Sequence, residues 1–331
     1  MKAILMTAAG NPDVLSLQDI AEPKITAATQ IKVKLKAAGV NPIDTKVRRN
    51  GVFYSQPLPA VLGCDGAGEV IEIGSAVDRF KLGDKVWFCN GGLGREQGNY
   101  AKVTVLDQRW ASLMPDNLSF VEAAALPLVL ITAWGALFDR GGLQAGQTVL
   151  IHAGAGGVGH VAIQLAKLKA ARVITTVSSE EKVAFVKSLG ADDVVVYKPN
   201  GFADAVNQLT AGKGADVVFD TVGSAVFKES IAVTAHFGRL ITLLDPGDIN
   251  SAEARMRNLL IGFELMLTPM LRDLHEARDK HVEILNQCRH AIEQGQLKVH
   301  VSQKFPLEQA KLAHDYIEAG HTQGKIVLEM D

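Results

Sequence analysis

The sequence predicts an α/β protein of two domains, a β-rich antiparallel one and a doubly wound parallel sheet, and three observations carry that prediction. Up to about residue 113, short runs are broken by Gly, Pro and Asp, as at 31–36 (I-K-V-K-L-K), 68–73 and 84–88. Alternation of this kind marks strands with one wet face. From residue 148 onward, strand-like and helix-like stretches alternate strictly, which implies a parallel sheet with helices on both faces. Between the two regions, from about Ser119, the run V-E-A-A-A-L-P-L-V-L-I-T-A-W-G-A-L-F is alanine-rich and helical in tendency, and Pro127 forces a break or kink inside it.

The second region opens at 148–159 with T-V-L-I-H-A-G-A-G-G-V-G, an apolar strand that runs through a glycine turn into a helix over 158–168. Gly154, Gly156 and Gly159 stand at G-x-G-x-x-G spacing, in the strand, turn, helix order that a dinucleotide site needs. The first glycine serves the tight turn, the second lets backbone approach a pyrophosphate, and the third lets helix pack on strand. The helix N-terminus then offers N–H groups and a positive dipole end to bound phosphates. Onward, 172–177 reads as a second strand, 179–189 as a helix with Ser179 as cap, and 194–197 as a third strand. A helix at 202–209, a strand at 216–220, a helix at 225–234 and a strand at 239–244 continue the pattern. Beyond it, 271–293 reads as a long amphipathic helix, 307–318 as another, and 325–329 as a closing strand. This tail is expected to return and complete the first domain.

With 331 residues and 47% apolar composition, the chain has material for two cores. A net charge of −2 without blocks of one sign gives no electrostatic footprint for nucleic acid or a membrane surface, so neither partner is expected. No apolar run approaches the roughly 20 residues that span a bilayer, and residues 1–7 lack the basic region and apolar core of a secretory signal. Cys64, Cys89 and Cys288 are odd in number and form no C-x-x-C, which predicts reduced thiols in a cytoplasmic protein. The nine histidines give no recognisable catalytic pair, and His152, at a strand end, is expected to be buried or bonded to backbone.

Several separate motifs in order now resemble one family. They are A-A-G-V-N-P-I-D at 37–44, L-P-A-V-L-G-C-D-G-A-G at 58–68, G-D-K-V at 83–86, A-A-L-P-L-V-L-I-T-A-W at 124–134, the glycine turn, and H-T-Q-G-K-I-V-L at 321–328. Over nearly the whole chain the sequence resembles the medium-chain dehydrogenase/reductase superfamily and, within it, the zinc-independent quinone oxidoreductases related to zeta-crystallin. The resemblance implies a GroES-like catalytic domain over 1–124, completed by 268–331, around a central Rossmann domain over 125–267, with the substrate cleft between them. It also implies a homodimer, in line with the base rate for such enzymes.

In the zinc alcohol dehydrogenases that the family resembles, a Cys stands where this chain has Asn41, and Gly-His-Glu where it has Gly63, Cys64 and Asp65. A third ligand would fall near Leu126 or Pro127. A catalytic zinc needs about three N or S donors, so a metal-free site is expected, with Cys64 as a small buried apolar residue. The four-cysteine structural zinc lobe is also missing, since only Cys89 lies in the matching region.

An NAD site places Asp or Glu at the end of the second strand, whereas here that strand ends V-S-S. Ser178 leaves room for a 2′-phosphate, and the resemblance places Lys182 and Tyr197 on that phosphate, which points to NADPH. Glu180 and Glu181 stand close by and would serve NAD if the turn were shorter. The resemblance further puts Asn41 and Thr132 near the nicotinamide, and Gly157, Val158, Thr221 and Leu243 around the same cofactor. Related reductases carry a tyrosine where this chain has Phe53, with Tyr54 next to it. Tyr54 joins Asn41 as a candidate catalytic residue, although the one-residue shift turns a phenol proton donor into an open question. Asp44 is read as holding the adjoining loop. The expected substrate is a quinone or enone held between Tyr54, Leu126 and the 261–271 stretch. An enoyl thioester reductase and a non-enzymatic NADPH-binding protein remain the alternatives.

Overall fold

Alternation at 30–40 and at 65–73 becomes the central pair of a large antiparallel sheet. The computed structural model describes all residues except 55–57, 199, 321 and 331, so the histidine that opens the H-T-Q-G-K-I-V-L motif lies outside the described residues. In chain order the first strands are β1 (Lys2–Met6), β2 (Leu15–Asp19), β3 (Gln30–Val40), β4 (Ala60–Val61), β5 (Asp65–Ile73), β6 (Lys85–Cys89), β7 (Val103–Asp107) and β8 (Ser112–Leu113). The middle of the chain adds β9 (Thr148–Ile151), β10 (Arg172–Val177), β11 (Asp193–Val196), β12 (Ala215–Asp220), β13 (Thr234–Thr242) and β14 (Leu260–Phe263), and the far end β15 (Val301–Pro306) and β16 (Lys325–Glu329).

The chain divides into two compact units, residues 1–128 with 267–295 and 299–331, and residues 129–266 with 296–298. In the first unit, β2, β1 and β4 pair antiparallel, and a larger sheet runs β15-β16-β3-β5-β6-β8 with β7 also on β3. Only its β15–β16 pair is parallel. The closing strand β16 lies against β3, pairing Ile326 with Val40. Helix α1 (Pro42–Asn50) follows β3 directly, with Asn41 at its N-cap and Pro42 at its first position, where a missing N–H costs nothing.

Helix α2 (Phe120–Ala124) is capped by Ser119 and Glu122, and α3 (Pro127–Trp134) begins on the proline, so the alanine-rich run breaks at Pro127 as its sequence requires. The second unit holds a six-stranded parallel sheet in the order β11-β10-β9-β12-β13-β14. Numbered within that unit, the order is 3-2-1-4-5-6, the doubly wound arrangement of a dinucleotide-binding domain. Its crossovers include α4 (Gly159–Leu168), α5 (Val183–Ser188), α6 (Ala203–Leu209), α7 (Ser224–Val233) and α8 (Ser251–Met256). Leu150, Ile174, Val218 and Leu240, one from each of four strands, are fully buried with Phe227 and Ile231 of α7 in its core.

Three expectations need correction. The helix read over 179–189 is a 3-10 turn at Glu180–Lys182 followed by α5, and Ser179 makes no side-chain cap. The helix read over 271–293 is the short α9 (Thr268–Leu271) and the long α10 (His275–Glu293), separated because Asp273 takes a left-handed φ of 55°. Likewise, 307–318 is a 3-10 turn leading into α11 (Ala310–Glu318). Among the described residues, no helix is long and apolar enough to cross a membrane, and all three cysteines are free and buried.

Candidate functional site

After β9 the chain turns through Ala153, and it is this alanine, at φ 51°, that takes the left-handed conformation. The glycines serve space instead. A Cβ on Gly154 would stand 2.0 Å from Thr175 Oγ1, and one on Gly159 would stand 2.3 Å from the Ala153 carbonyl, so both let α4 pack tightly on the turn. At Gly156 a Cβ would meet only the Ala153 carbonyl, at 3.1 Å, which leaves its outer side bare. The amides of Gly157, Val158 and Gly159 have no hydrogen-bond partner among the described residues, and Val158 brings no side-chain cap. Unspent N–H groups at the start of a ten-residue helix fit the anionic pyrophosphate of a dinucleotide.

Ser178 and Tyr197 directly follow the adjacent strands β10 and β11, which pair at Val177 and Val196. Lys182 Nζ donates to Ser178 Oγ at 3.1 Å, and the Tyr197 amide donates to the Val177 carbonyl at 3.1 Å while its ring packs on the core. All three side chains are half-buried, whereas Glu180 and Glu181 are exposed. The corner therefore presents a hydroxyl and an ammonium, with a phenol-bearing residue at the neighbouring strand end.

The C-terminal ends of β9, β12 and β13 meet at the point where the strand order reverses, the place where ligands bind in such sheets. There Thr221 Oγ1 donates to the His152 carbonyl at 3.0 Å, and the Leu243 amide to the Asp220 carbonyl at 3.1 Å. His152 is fully buried between Ser230 Oγ (2.9 Å from Nε2) and Thr176 Oγ1 (3.2 Å from Nδ1), and burial lowers its pKa to about 4, so the ring is neutral. Asp220 is a residue that sequence reasoning missed. Its carboxylate accepts the Val222 and Gly223 amides, both at 2.9 Å, and Thr242 Oγ1 at 2.8 Å, which fixes the loop carrying Thr221. The signal was a carboxylate closing the apolar strand V-V-F-D. Thr132 lies buried on α3 in this same unit.

The β-rich unit centres on Asn41, which has no exposed surface. Its amide Nδ2 donates to Asp65 Oδ2 at 2.9 Å, its Oδ1 accepts from Lys325 Nζ, and its backbone N–H donates to Asp44 Oδ2 at 2.8 Å. Asp65 Oδ1 accepts the Leu128 amide at 2.8 Å, and Tyr100 OH donates to Asp44 Oδ2 at 3.0 Å. Asp44 thus holds the loop before α1. Gly63 is required beside this cluster, since at φ 96° a Cβ would stand 2.4 Å from the Tyr100 ring. Burial raises Asp65 to about 6 and Asp44 to about 7, against their hydrogen bonds and the Lys325 charge. Lys325 and Asp65 were not read as site residues, although each is a charge set in an otherwise apolar run.

Tyr54 lies in the same unit. Its hydroxyl donates to the Met270 carbonyl at 2.9 Å, and the Arg95 guanidinium stands 5.0 Å from its ring centre, beside a small recess lined by Leu93 and Met270. The phenol proton is therefore committed to backbone. Burial raises its pKa as well. The expectation of a substrate held against Leu126 fails, because Leu126 is fully buried. The 261–271 stretch also divides, with 261–263 in β14 of the second unit and 268–271 in α9 of the first.

Comparison with known proteins now places the chain. Residues 27–116 match the alcohol dehydrogenase GroES-like domain and residues 189–328 the zinc-binding dehydrogenase family. A quinone oxidoreductase of Pseudomonas aeruginosa is 34% identical over 99% of both chains. Among solved structures, an NAD-dependent alcohol dehydrogenase is 35% identical with a TM-score of 0.91 and full coverage of both chains. The NADPH complex of Escherichia coli quinone oxidoreductase is 30% identical with a TM-score of 0.88, over 99% of this chain and 100% of that one. The chain belongs to the medium-chain dehydrogenase/reductase superfamily and, within it, to the quinone oxidoreductase family.

The zinc in one matched description does not fit the residues present. Asn41 has both ends of its amide engaged, one of them by an ammonium, and both Asp65 oxygens are occupied. The Cys64 thiol, hydrogen-bonded to Cys89 and buried, is held well above its usual pKa, and a metal-binding thiol must ionise. Among the described residues, no group of three or more His, Cys, Asp or Glu is arranged to hold a metal.

Proposed function

We propose that the chain is an NADPH-dependent oxidoreductase that passes a hydride to a quinone or a conjugated enone without a catalytic metal. NADPH, when bound, supplies the hydride. The observation that carries this reading is the Lys182–Ser178 pair at the end of β10, where an NAD site would place a carboxylate. An ammonium already resting on a hydroxyl needs only a small shift to receive a 2′-phosphate, and an ionised partner roughly doubles hydrogen-bond strength. The amides of Gly157, Val158 and Gly159, with the bare side of Gly156, would hold the pyrophosphate. Thr221 and Leu243 would border the cofactor at the ends of β12 and β13, and Asn41 and Thr132 take the nicotinamide-orienting roles of their family positions.

On the substrate side, a polar centre without metal donors favours acceptors that delocalise the incoming charge. Quinones and enones do so, whereas a simple alkoxide needs a Lewis acid. With the Tyr54 hydroxyl bonded to Met270, the proton that completes reduction is assigned to solvent. NADPH absorbance should fall continuously on adding phenanthrenequinone to the purified protein. A shift and quench of NADPH fluorescence without consumption would instead indicate a binding protein.

The same reading includes a homodimer. Strand β14 is an edge of the parallel sheet, and Leu260, Phe263 and Leu265 on or beside it are exposed, with Phe237 and Met256 nearby in sequence on neighbouring elements. An open edge with apolar side chains is a ready surface for a second copy.

A further inference from the structure

Lys325 opens β16 and is only 3% exposed. An ammonium removed from water is costly unless its protons are bonded and its charge is met. Its Nζ donates to the Val40 carbonyl at 3.0 Å and to Asn41 Oδ1. The Asn41 amide carries the interaction onward to Asp65 Oδ2, and Asp65 Oδ1 takes the Leu128 amide. Cation, amide and anion so form one chain across four separate stretches of sequence. Only one setting of the Asn41 side chain satisfies it, because a flipped amide would turn its NH2 toward the ammonium and its oxygen toward the carboxylate.

The stretches that meet here are those matching the ligand positions of zinc alcohol dehydrogenases: Asn41, Cys64 with Asp65, and the segment through Leu126 and Pro127. We propose that Lys325 is a positioning residue, its ammonium standing in place of a metal to hold the Asn41 amide in one orientation and to offset the Asp65 charge. As a role in catalysis, the assignment rests on the oxidoreductase function proposed above. Burial lowers the Lys325 pKa from its ordinary value, and Asp65, Asp44, Cys89 and Cys64 around it oppose that fall. Both thiols are kept protonated and burial raises Asp44 to about 7, while Asp65, the carboxylate joined to Lys325 through Asn41, is the charge that the ammonium answers.

The test compares K325M, which keeps length but removes charge, with K325M/D65N, which removes both charges. In K325M, kcat for quinone reduction should fall by about ten- to a hundredfold, the scale of a misplaced catalytic arrangement, while the Kd for NADPH and the KM change little. The double variant should regain the melting temperature lost in K325M without regaining kcat. A kcat that returns together with the melting temperature, or one unaltered in K325M, overturns the assignment. Should K325M fail to fold, K325M/D65N is compared with wild type alone. If wild-type protein does not turn over quinone, the functional reading fails separately. The positioning claim is then read from the Asn41 side-chain NH2 resonances, identified by their loss in N41S. These should shift in K325M/D65N relative to D65N alone, and resonances identical in those two variants would refute it.

Discussion

In the proposed function, Lys182 would distinguish the two nicotinamide cofactors by a single charge. It reaches Ser178 across one turn, and Glu180 and Glu181 point to solvent rather than into that corner. Lys182→Ala should weaken NADPH binding by about 1.5 to 3 kcal/mol, the range for a hydrogen bond to a charged group, and leave NADH nearly unchanged. Fluorescence titration with both cofactors checks this, and equal losses would remove Lys182 from the phosphate site. At this scale the sequence was readable where residue type and spacing state the chemistry, as with the glycines and the missing strand-end acid. Residues whose partners are distant in sequence stayed hidden. Lys325 and Asn41 are 284 positions apart, and Asp65 and Leu128 are 63 apart, so no local pattern joins them.

Among the elements, the strand, turn and helix from β9 to α4 allow two glycines to be separated by experiment. Gly154→Ala drives a methyl into Thr175 and should destabilise the fold by about 1 to 3 kcal/mol, as overpacking does. Gly156→Ala should leave stability within about 1 kcal/mol yet weaken NADPH binding by about tenfold or more, because its Cβ would occupy the side left bare for the pyrophosphate. Urea unfolding and cofactor titration on both variants give the comparison, and the reverse pattern would mean that the turn does not face the cofactor. Strands such as Arg172–Val177 and Lys325–Glu329 were legible to the residue, since burial on both faces leaves runs of β-branched and aliphatic residues, V-I-T-T-V and I-V-L. Strand β15, V-S-Q-K-F-P, was not. It sits at a sheet edge with no fully buried residue, and such a strand imposes little pattern on its sequence. Helix α1 was hidden because its start, Asn41 and Pro42, carries the residue types of a turn as well as those of a helix N-terminus.

At the scale of the whole molecule, the doubly wound sheet followed from strict alternation of strand and helix, while its sixth strand was read only as part of a 261–271 run. That strand now carries the oligomer prediction. The double variant Leu260→Lys, Phe263→Lys should convert a species of twice the 35.4 kDa chain mass into a monomer by light scattering. Wild-type protein already monomeric across concentrations would rule the dimer out. The central claim, however, concerns the reaction, and a donor set that cannot hold zinc makes the claim sharp. In paired assays on one preparation, NADPH oxidation by phenanthrenequinone or a simple enone should exceed NADP-linked oxidation of ethanol or benzyl alcohol by about a hundredfold or more, for want of Lewis-acid help at a developing alkoxide. Alcohol oxidation that equals or outruns quinone reduction would contradict the account.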